Sequence, residues 1–316
     1  MSLIIGSHVS FNNKEQLLGS VKEAISYNAN TFMIYTGSTQ STSRSELRDE
    51  CTYEAYKLML ENNIDSNNII VHAPYIINLA NRKDEDKYIF YCDFLANELN
   101  RCKKLGLTKI VLHPGSATTC TKEDAIKNII DGINYVYNKT TDTMILLEFM
   151  AGKGTEVGTS IDELKCIIDG IIDKNRIGVC LDTCHMNDSG VDISKFNEFL
   201  SEFDSKIGIS KIKCIHVNDS LNDIGSHKDR HANIGYGTIG FNNILNVVYN
   251  KKLNNRIDAI YDKLGIDVNE VSEEKKDKKS TDDDEQAEEA LAEKNIAKAE
   301  KLLKEEKDQK KDKIKK

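Results

Sequence analysis

Short apolar runs alternate with longer stretches of helical periodicity over most of the chain. Residues 3–5 are apolar and break into Gly6-Ser7-His8-Val9-Ser10, as a strand entering a loop would. Residues 16–29 then place Leu17, Leu18, Val21, Ala24 and Ile25 at helical spacing, and residues 32–35 read as the next strand. The unit repeats. Helical stretches at 51–62, 88–105, 123–137, 161–170 and 193–202 separate the apolar runs 69–71, 110–112, 144–147, 178–181 and the run that opens at Ile212. Seven strand-like runs separated by helices predict parallel strands joined by right-handed helical crossovers.

What ends the runs matters as much as the runs. Five in succession stop at His72, His113, Glu148, Asp182 and His216, each of a metal-ligand type. A closed parallel barrel brings the carboxyl ends of all its strands to one mouth, whereas an open doubly wound sheet spreads them along an edge, so convergence favours a TIM-like (β/α)8 barrel. After His216, Asp229 and His231 stand two apart, which in extended backbone puts both side chains on one face. Thr183-Cys184, after Asp182, reads as a strand-to-loop turn. Mixed carboxylate and imidazole suits zinc, or less tightly manganese or iron, and the lack of a paired-cysteine motif argues against a structural thiolate site.

The 316 residues suffice for one large barrel, although length alone also allows two domains. No apolar run is long enough to span a bilayer, and the start MSLIIGSHVS has neither a basic stretch nor a cleavage site, which predicts a soluble, intracellular, non-secreted protein. Eight scattered cysteines predict reduced thiols. The net charge of −8 neither supports nor excludes a nucleic-acid partner, because bound cations can make one cleft positive. No eighth strand is recognisable. Residues 257–264 carry Ile257, Ile260, Tyr261 and Leu264 at helical spacing, with Asp258 and Asp262 on the polar side. From about residue 273 the chain is rich in Glu, Asp and Lys and poor in apolar side chains, which predicts a solvated extension with a helix over 287–306. The division expected is a barrel over 1–255 and a charged tail over 256–316.

The stretches GSHVS at Gly6, VHAPYIINLA at Val71, VLHPGS at Val111, LEFMAGKGTEVG at Leu147, GVCLDTCHMNDSG at Gly178 and IHVNDSLNDIGSHKDRHANIGYGTIG at Ile215 resemble endonuclease IV, the zinc-dependent apurinic/apyrimidinic endonucleases of AP endonuclease family 2. They extend over residues 1 to about 250. The resemblance implies a barrel mouth with three zinc ions, manganese being a possible substitute, that cuts double-stranded DNA 5′ of an abasic site and leaves a 3′-OH. Carried over motif by motif, His72, His113 and Glu148 would hold the first zinc, and Glu148 would bridge to a second held by Asp182 and His216. His185, Asp229 and His231 would hold the third. Zinc supplies hydroxide at neutral pH and stabilises attacking and departing oxygens, with Glu148 as the residue that orients the nucleophile.

For DNA contact the resemblance points to Tyr75 and Ile76 after His72, and more loosely to Gln40, near which an arginine is expected. Asn78 reads as loop structure, and Gly152, Gly154 and Gly158 as a βα loop bordering the mouth. His8 reads as lining the site or meeting phosphate, His227 as a loop residue. The chain departs from the family in one respect: the glutamate of the last strand, a ninth ligand that completes the second zinc, is not found, which would impair that site. A monomer is expected. Two other readings stand beside this one: a sugar isomerase or epimerase with one manganese or cobalt on about four ligands, and a barrel that binds DNA or a partner without cutting. Eight candidate ligands favour the polynuclear hydrolase.

Overall fold

A computed structural model describes residues 3–254. Seven parallel strands follow one another in sheet order as in sequence: β1 (Gly6–His8), β2 (Thr31–Ile34), β3 (Ile70–His72), β4 (Lys109–Leu112), β5 (Met144–Glu148), β6 (Ile177–Asp182) and β7 (Ile212–His216). Helices α1 (Gln16–Ser26), α2 (Asp49–Glu61), α3 (Glu85–Lys104), α4 (Lys122–Lys139), α5 (Ile161–Gly170), α6 (Thr183–Ser189) and α7 (Phe196–Lys206) lie between them. The sheet is curled as in a barrel, without pairing between β7 and β1 among the described residues. Strands about 4.8 Å apart would leave β3 and β7 roughly 19 Å apart if flat, yet the rings of His72 and His216, at their ends, are 5.9 Å apart.

Side-chain caps fix where helices start. Asp84, Thr121 and Ser160 accept from the backbone N–H of Lys87, Asp124 and Glu163, satisfying first-turn donors of α3, α4 and α5. Two layers of apolar side chains follow from the topology. The larger lies between sheet and helices and includes Leu95, Leu99, Ile110, Ile133, Leu147, Leu164 and Phe203. The smaller fills the inside of the curl, with Ile70, Val111, Leu146 and Cys180 packed with Met33, Met144 and Cys214. That inner layer is the floor beneath the ligand-type residues.

Four departures from the sequence reading have local causes. The first strand is Gly6–His8 rather than residues 3–5; Ile4 and Ile5 are 58% and 54% exposed. A Cβ at Gly6 would stand 1.8 Å from Thr31 O, so the glycine allows the backbone contact that makes this strand. Thr183-Cys184 is not a loop turn but the first turn of α6, capped by Asp182, whose side chain accepts from His185 N. The helix expected from Ile193 opens as a 3-10 turn, Ile193–Lys195, before α7. After β7 a small antiparallel ladder, β8 (Asp219–Ser220) with β9 (His231–Ala232), precedes α8 (Phe241–Val248) and α9 (Lys251–Asn254). The readings of 257–264, Asp258, Asp262, the helix over 287–306 and an eighth strand lie outside the described residues, and the division near residue 255 coincides with that limit.

Candidate metal centre

Glu148, at the end of β5, is the hub of the mouth. It is 2% exposed. Its Oε2 lies 3.2 Å from His72 Nε2 and 3.0 Å from His113 Nε2, while Oε1 lies 3.0 Å from His216 Nδ1 and 3.4 Å from His185 Nδ1. Asp182 Oδ2 is 3.8 Å from both His216 Nδ1 and His231 Nε2. Asp229 Oδ1 is 3.1 Å from His185 Nε2 and 3.5 Å from His231 Nε2. All eight expected ligands therefore converge. Among the described residues, donor atoms within 4.8 Å of one another group as His72–His113–Glu148, as Glu148–Asp182–His216, as Asp182–His185–His231, as Cys184–Asp229–His231 and as Cys180–Cys214–His216.

Outer contacts orient the ligands. His72 Nδ1 is 2.7 Å from Ala73 O, which turns Nε2 toward Glu148. His185 Nδ1 is 3.1 Å from Phe149 O, and Asn218 Nδ2 donates to Asp182 Oδ2 at 2.7 Å. Asp229 and His231 do meet, but not by extended backbone: Asp229 has φ +55°, in the left-handed region. Asp188, buried in α6, makes this possible by accepting from Asp229 N at 2.9 Å, Ser220 Oγ at 2.6 Å and Asn222 Nδ2 at 3.1 Å. Asp219, also fully buried, accepts from Ser220 N, Gly235 N, Gly237 N and Ile239 N and so folds the turn that follows His231. Neither aspartate stands out in the sequence, where each resembles a turn former.

The electrostatics are those of acids sharing too little positive charge. Burial opposes ionisation of Glu148, but His216 and His113 hold its carboxyl well below the usual range. Burial opposes protonation of His185, yet Asp182, Asp229 and Glu148 outweigh it and push its pKa up to about 10. His216 is raised in the same way, against burial, chiefly by Glu148. Burial dominates at His72 and lowers it.

Around this centre, Tyr75 is 57% exposed, with its ring 5.5 Å from that of His72 and 5.2 Å from that of His113. Ile76 is partly buried and packs on the main core rather than standing free. Gln40 is exposed in the loop after β2, its backbone N–H donating to Ser38 Oγ. That loop holds two arginines, Arg44 and Arg48, and Arg44 is turned inward: Nε is 2.6 Å from Glu98 Oε1, with the two side chains 9% and 0% exposed. Asn78 ties loops together by bonding Ala80 N, Ser116 N and Ser116 O. Gly152, Gly154 and Gly158 all have positive φ in the loop after β5, and His227 Nδ1 lies 3.1 Å from Ala151 O of that loop. His8, at the end of β1, has its ring 4.7 Å from that of Tyr35. Among the described residues no helix is long and apolar enough to cross a membrane.

Comparison with known proteins extends this picture. The sequence profile of the family described as xylose isomerase-like TIM barrel matches residues 21–261. A probable endonuclease 4 of Mycoplasma mycoides subsp. mycoides is 47% identical over 254 residues, covering 80% of this chain and 88% of the relative. One from Enterococcus faecalis is 49% identical over 252 residues, covering 79% and 84%. The crystal structure of endonuclease IV from Thermus thermophilus superposes with a TM-score of 0.67 at 26% identity, over 80% of this chain and 90% of that one. A D-tagatose 3-epimerase-like protein, at 20% identity and TM-score 0.56 over 83% and 88%, shares the fold.

Proposed function

The chain belongs to the endonuclease IV family, and on that premise we propose that it hydrolyses the phosphodiester 5′ of abasic sites in double-stranded DNA, leaving a 3′-OH, with zinc at the mouth. The observation that carries the reading is the position of Glu148, whose two oxygens are shared by imidazoles from β3, β7, the residue after β4 and helix α6. The residues fit cations. The donors are imidazole and carboxylate, which zinc accepts. Tetrahedral ligands 2.0–2.3 Å from zinc sit about 3.3–3.8 Å apart, and the separations around Glu148, 3.0 to 3.4 Å, reach that range with an outward shift of about half an ångström or less. His216 Nε2 is also buried without a hydrogen-bond partner, as in a ring positioned for something other than protein.

His72, His113 and Glu148 would hold one ion, Glu148, Asp182 and His216 a second, and His185, Asp229 and His231 a third. Bound zinc would supply hydroxide at neutral pH and positive charge for the phosphate and the leaving oxygen. The protein's own part is positional. Glu148 cannot swing away, because four imidazoles and burial fix it, so it holds the hub of the site at a constant distance from each ligand group. Three carboxylates alone would repel a phosphodiester; the cations reverse the sign of the mouth, which reconciles a chain of net charge −8 with an anionic polymer. Tyr75, exposed above His72 and His113, offers an aromatic face where a displaced nucleotide leaves a gap in the stack.

The test is a duplex with one tetrahydrofuran abasic analogue. Incision on the 5′ side that chelation abolishes and zinc restores is expected, with manganese as a partial substitute. An intact duplex in the presence of zinc overturns the reading. Metal analysis separates it from a sugar isomerase, for which one manganese or cobalt per chain is expected instead of several zincs.

A further inference from the structure

Just below the mouth two thiols stand side by side. Cys180 in β6 and Cys214 in β7 are direct register partners. Each precedes a mouth residue by two, Asp182 and His216 respectively, so strand alternation directs all four to the inside of the barrel. The pairing depends on a shift of register between Val179 and Cys180: Val179 faces Ile212, and one residue later Cys180 faces Cys214 instead of Lys213. Irregularities of this kind re-aim side chains and gather beside functional sites.

Both thiols are free, and Cys180 is wholly buried. Ile70, Val111, Leu146, Met33 and Met144 complete an apolar floor around them. One ring nitrogen of His216 and the two sulfurs lie within 4.8 Å of one another. Ligands around a tetrahedral ion are about 3.3–3.8 Å apart, so the donors need to close by at most about 1.5 Å. Sequence spacing hid this: 34 residues separate the two cysteines, and neither sits in a paired motif.

We propose that Cys180, Cys214 and His216 form a second kind of cation site, for thiophilic ions such as Cd2+, set beneath the carboxylate-rich mouth. Two thiolates and an imidazole select soft ions over the harder ones that carboxylates favour. Binding breaks two S–H bonds, sends two protons to solvent and forms two sulfur–cadmium bonds, with no change of oxidation state. Since Glu148 and Asp182 face the same imidazole, the two sites compete for His216, and a thiophilic cation loosens the mouth. The proposal does not depend on the chain being an endonuclease, and its readout needs no DNA.

The experiment is a titration of the full chain, reduced and stripped of metal, with Cd2+, followed by thiolate-to-cadmium charge-transfer absorbance. The first equivalent is expected to give a saturating band, retained by Cys166→Ser, which removes the exposed cysteine of α5. Cys214→Val, checked for folding by circular dichroism, is expected to bind Cd2+ at least tenfold more weakly and to lack the band at one equivalent. Should valine prevent folding, Cys214→Ser is read in the same way. No band in the parent chain at one equivalent, or a band of equal strength in the Cys214 variant, overturns the proposal.

Discussion

His185 Nε2 lies 3.1 Å from Asp229 Oδ1, although 44 residues separate them. The same short helix holds both ends of this contact. α6 carries His185 itself and, one turn later, Asp188, whose carboxylate accepts from the backbone N–H of Asp229 at 2.9 Å. Removing that acceptor frees a residue whose φ of +55° is held from outside. Asp188→Ala is expected to weaken one zinc equivalent about 10–100-fold while the others stay bound. It also strands the Ser220 and Asn222 donors, at a cost of about 1–3 kcal/mol. Chelator competition with elemental analysis reads the first effect, denaturant unfolding the second. Uniform loss of all metal would show that Asp188 is merely structural.

Glu148→Gln keeps the size of the hub but halves its acceptor capacity toward four imidazoles. Single-turnover incision of abasic duplex is expected to fall at least about a hundredfold, with the drop in the rate constant and not in DNA affinity, because Glu148 is buried beneath the surface that DNA would touch. An unchanged rate in zinc-loaded variant would exclude Glu148 from the chemistry.

Arg44 and Glu98 give a stability prediction outside the mouth. Their buried pair anchors the loop bearing Gln40 to α3, and Thr36 Oγ1 donates to the other carboxylate oxygen at 2.8 Å. Breaking a buried pair from one side costs about 3–5 kcal/mol, so Arg44→Ala should shift the urea midpoint strongly. The exposed Arg82–Glu85 pair, with side chains 37% and 56% exposed, is the control: Arg82→Ala should cost about 0–1 kcal/mol. Equal midpoint shifts would refute the assignment.

Tyr56 should be one of the groups through which alkaline pH acts, beside Tyr35, Tyr88 and Tyr137, which burial raises in the same direction. Its hydroxyl donates to Leu105 O at 3.1 Å, tying α2 to the end of α3, and burial pushes its pKa up to about 12 from 10.0. The folded state thus keeps a proton that the unfolded chain gives up earlier. Its contribution is complete below pH 10 and is lost as pH rises toward 12. Tyr56→Phe should be less stable than the parent at pH 8 by about 1 kcal/mol and lose less stability over that alkaline window. Parallel pH profiles for the two proteins would rule Tyr56 out as a titrating group.

The barrel was legible because its strands are buried runs that stop abruptly at polar residues, and because His72, His113, Glu148, Asp182 and His216 supply those stops. Other features had no comparable signature. β1 is defined by a backbone approach at Gly6 and not by the apolar side chains of Ile4 and Ile5, which face outward. α6 is seven residues long and buried from Thr183 to Asp188, so it has no polar face and no period to read. Apart from Ser220 N, the backbone donors on which Asp188 and Asp219 act are 16 to 41 residues away, a relation that composition cannot express. The inward turn of Arg44 depends on Glu98 in a distant helix, which is why an arginine expected near Gln40 is found serving the scaffold.

The ligand-type residues are spread along the chain from His72 to His231, one or two to each successive strand and its loop. During translation the groups therefore leave the ribosome in sequence, and the His72–His113–Glu148 cluster can gather long before Asp229 and His231 have been synthesised. With cations at the mouth as proposed, the first could bind when the chain is half made and the last only after nearly all of the described fold has emerged, so that ion uptake would keep time with synthesis.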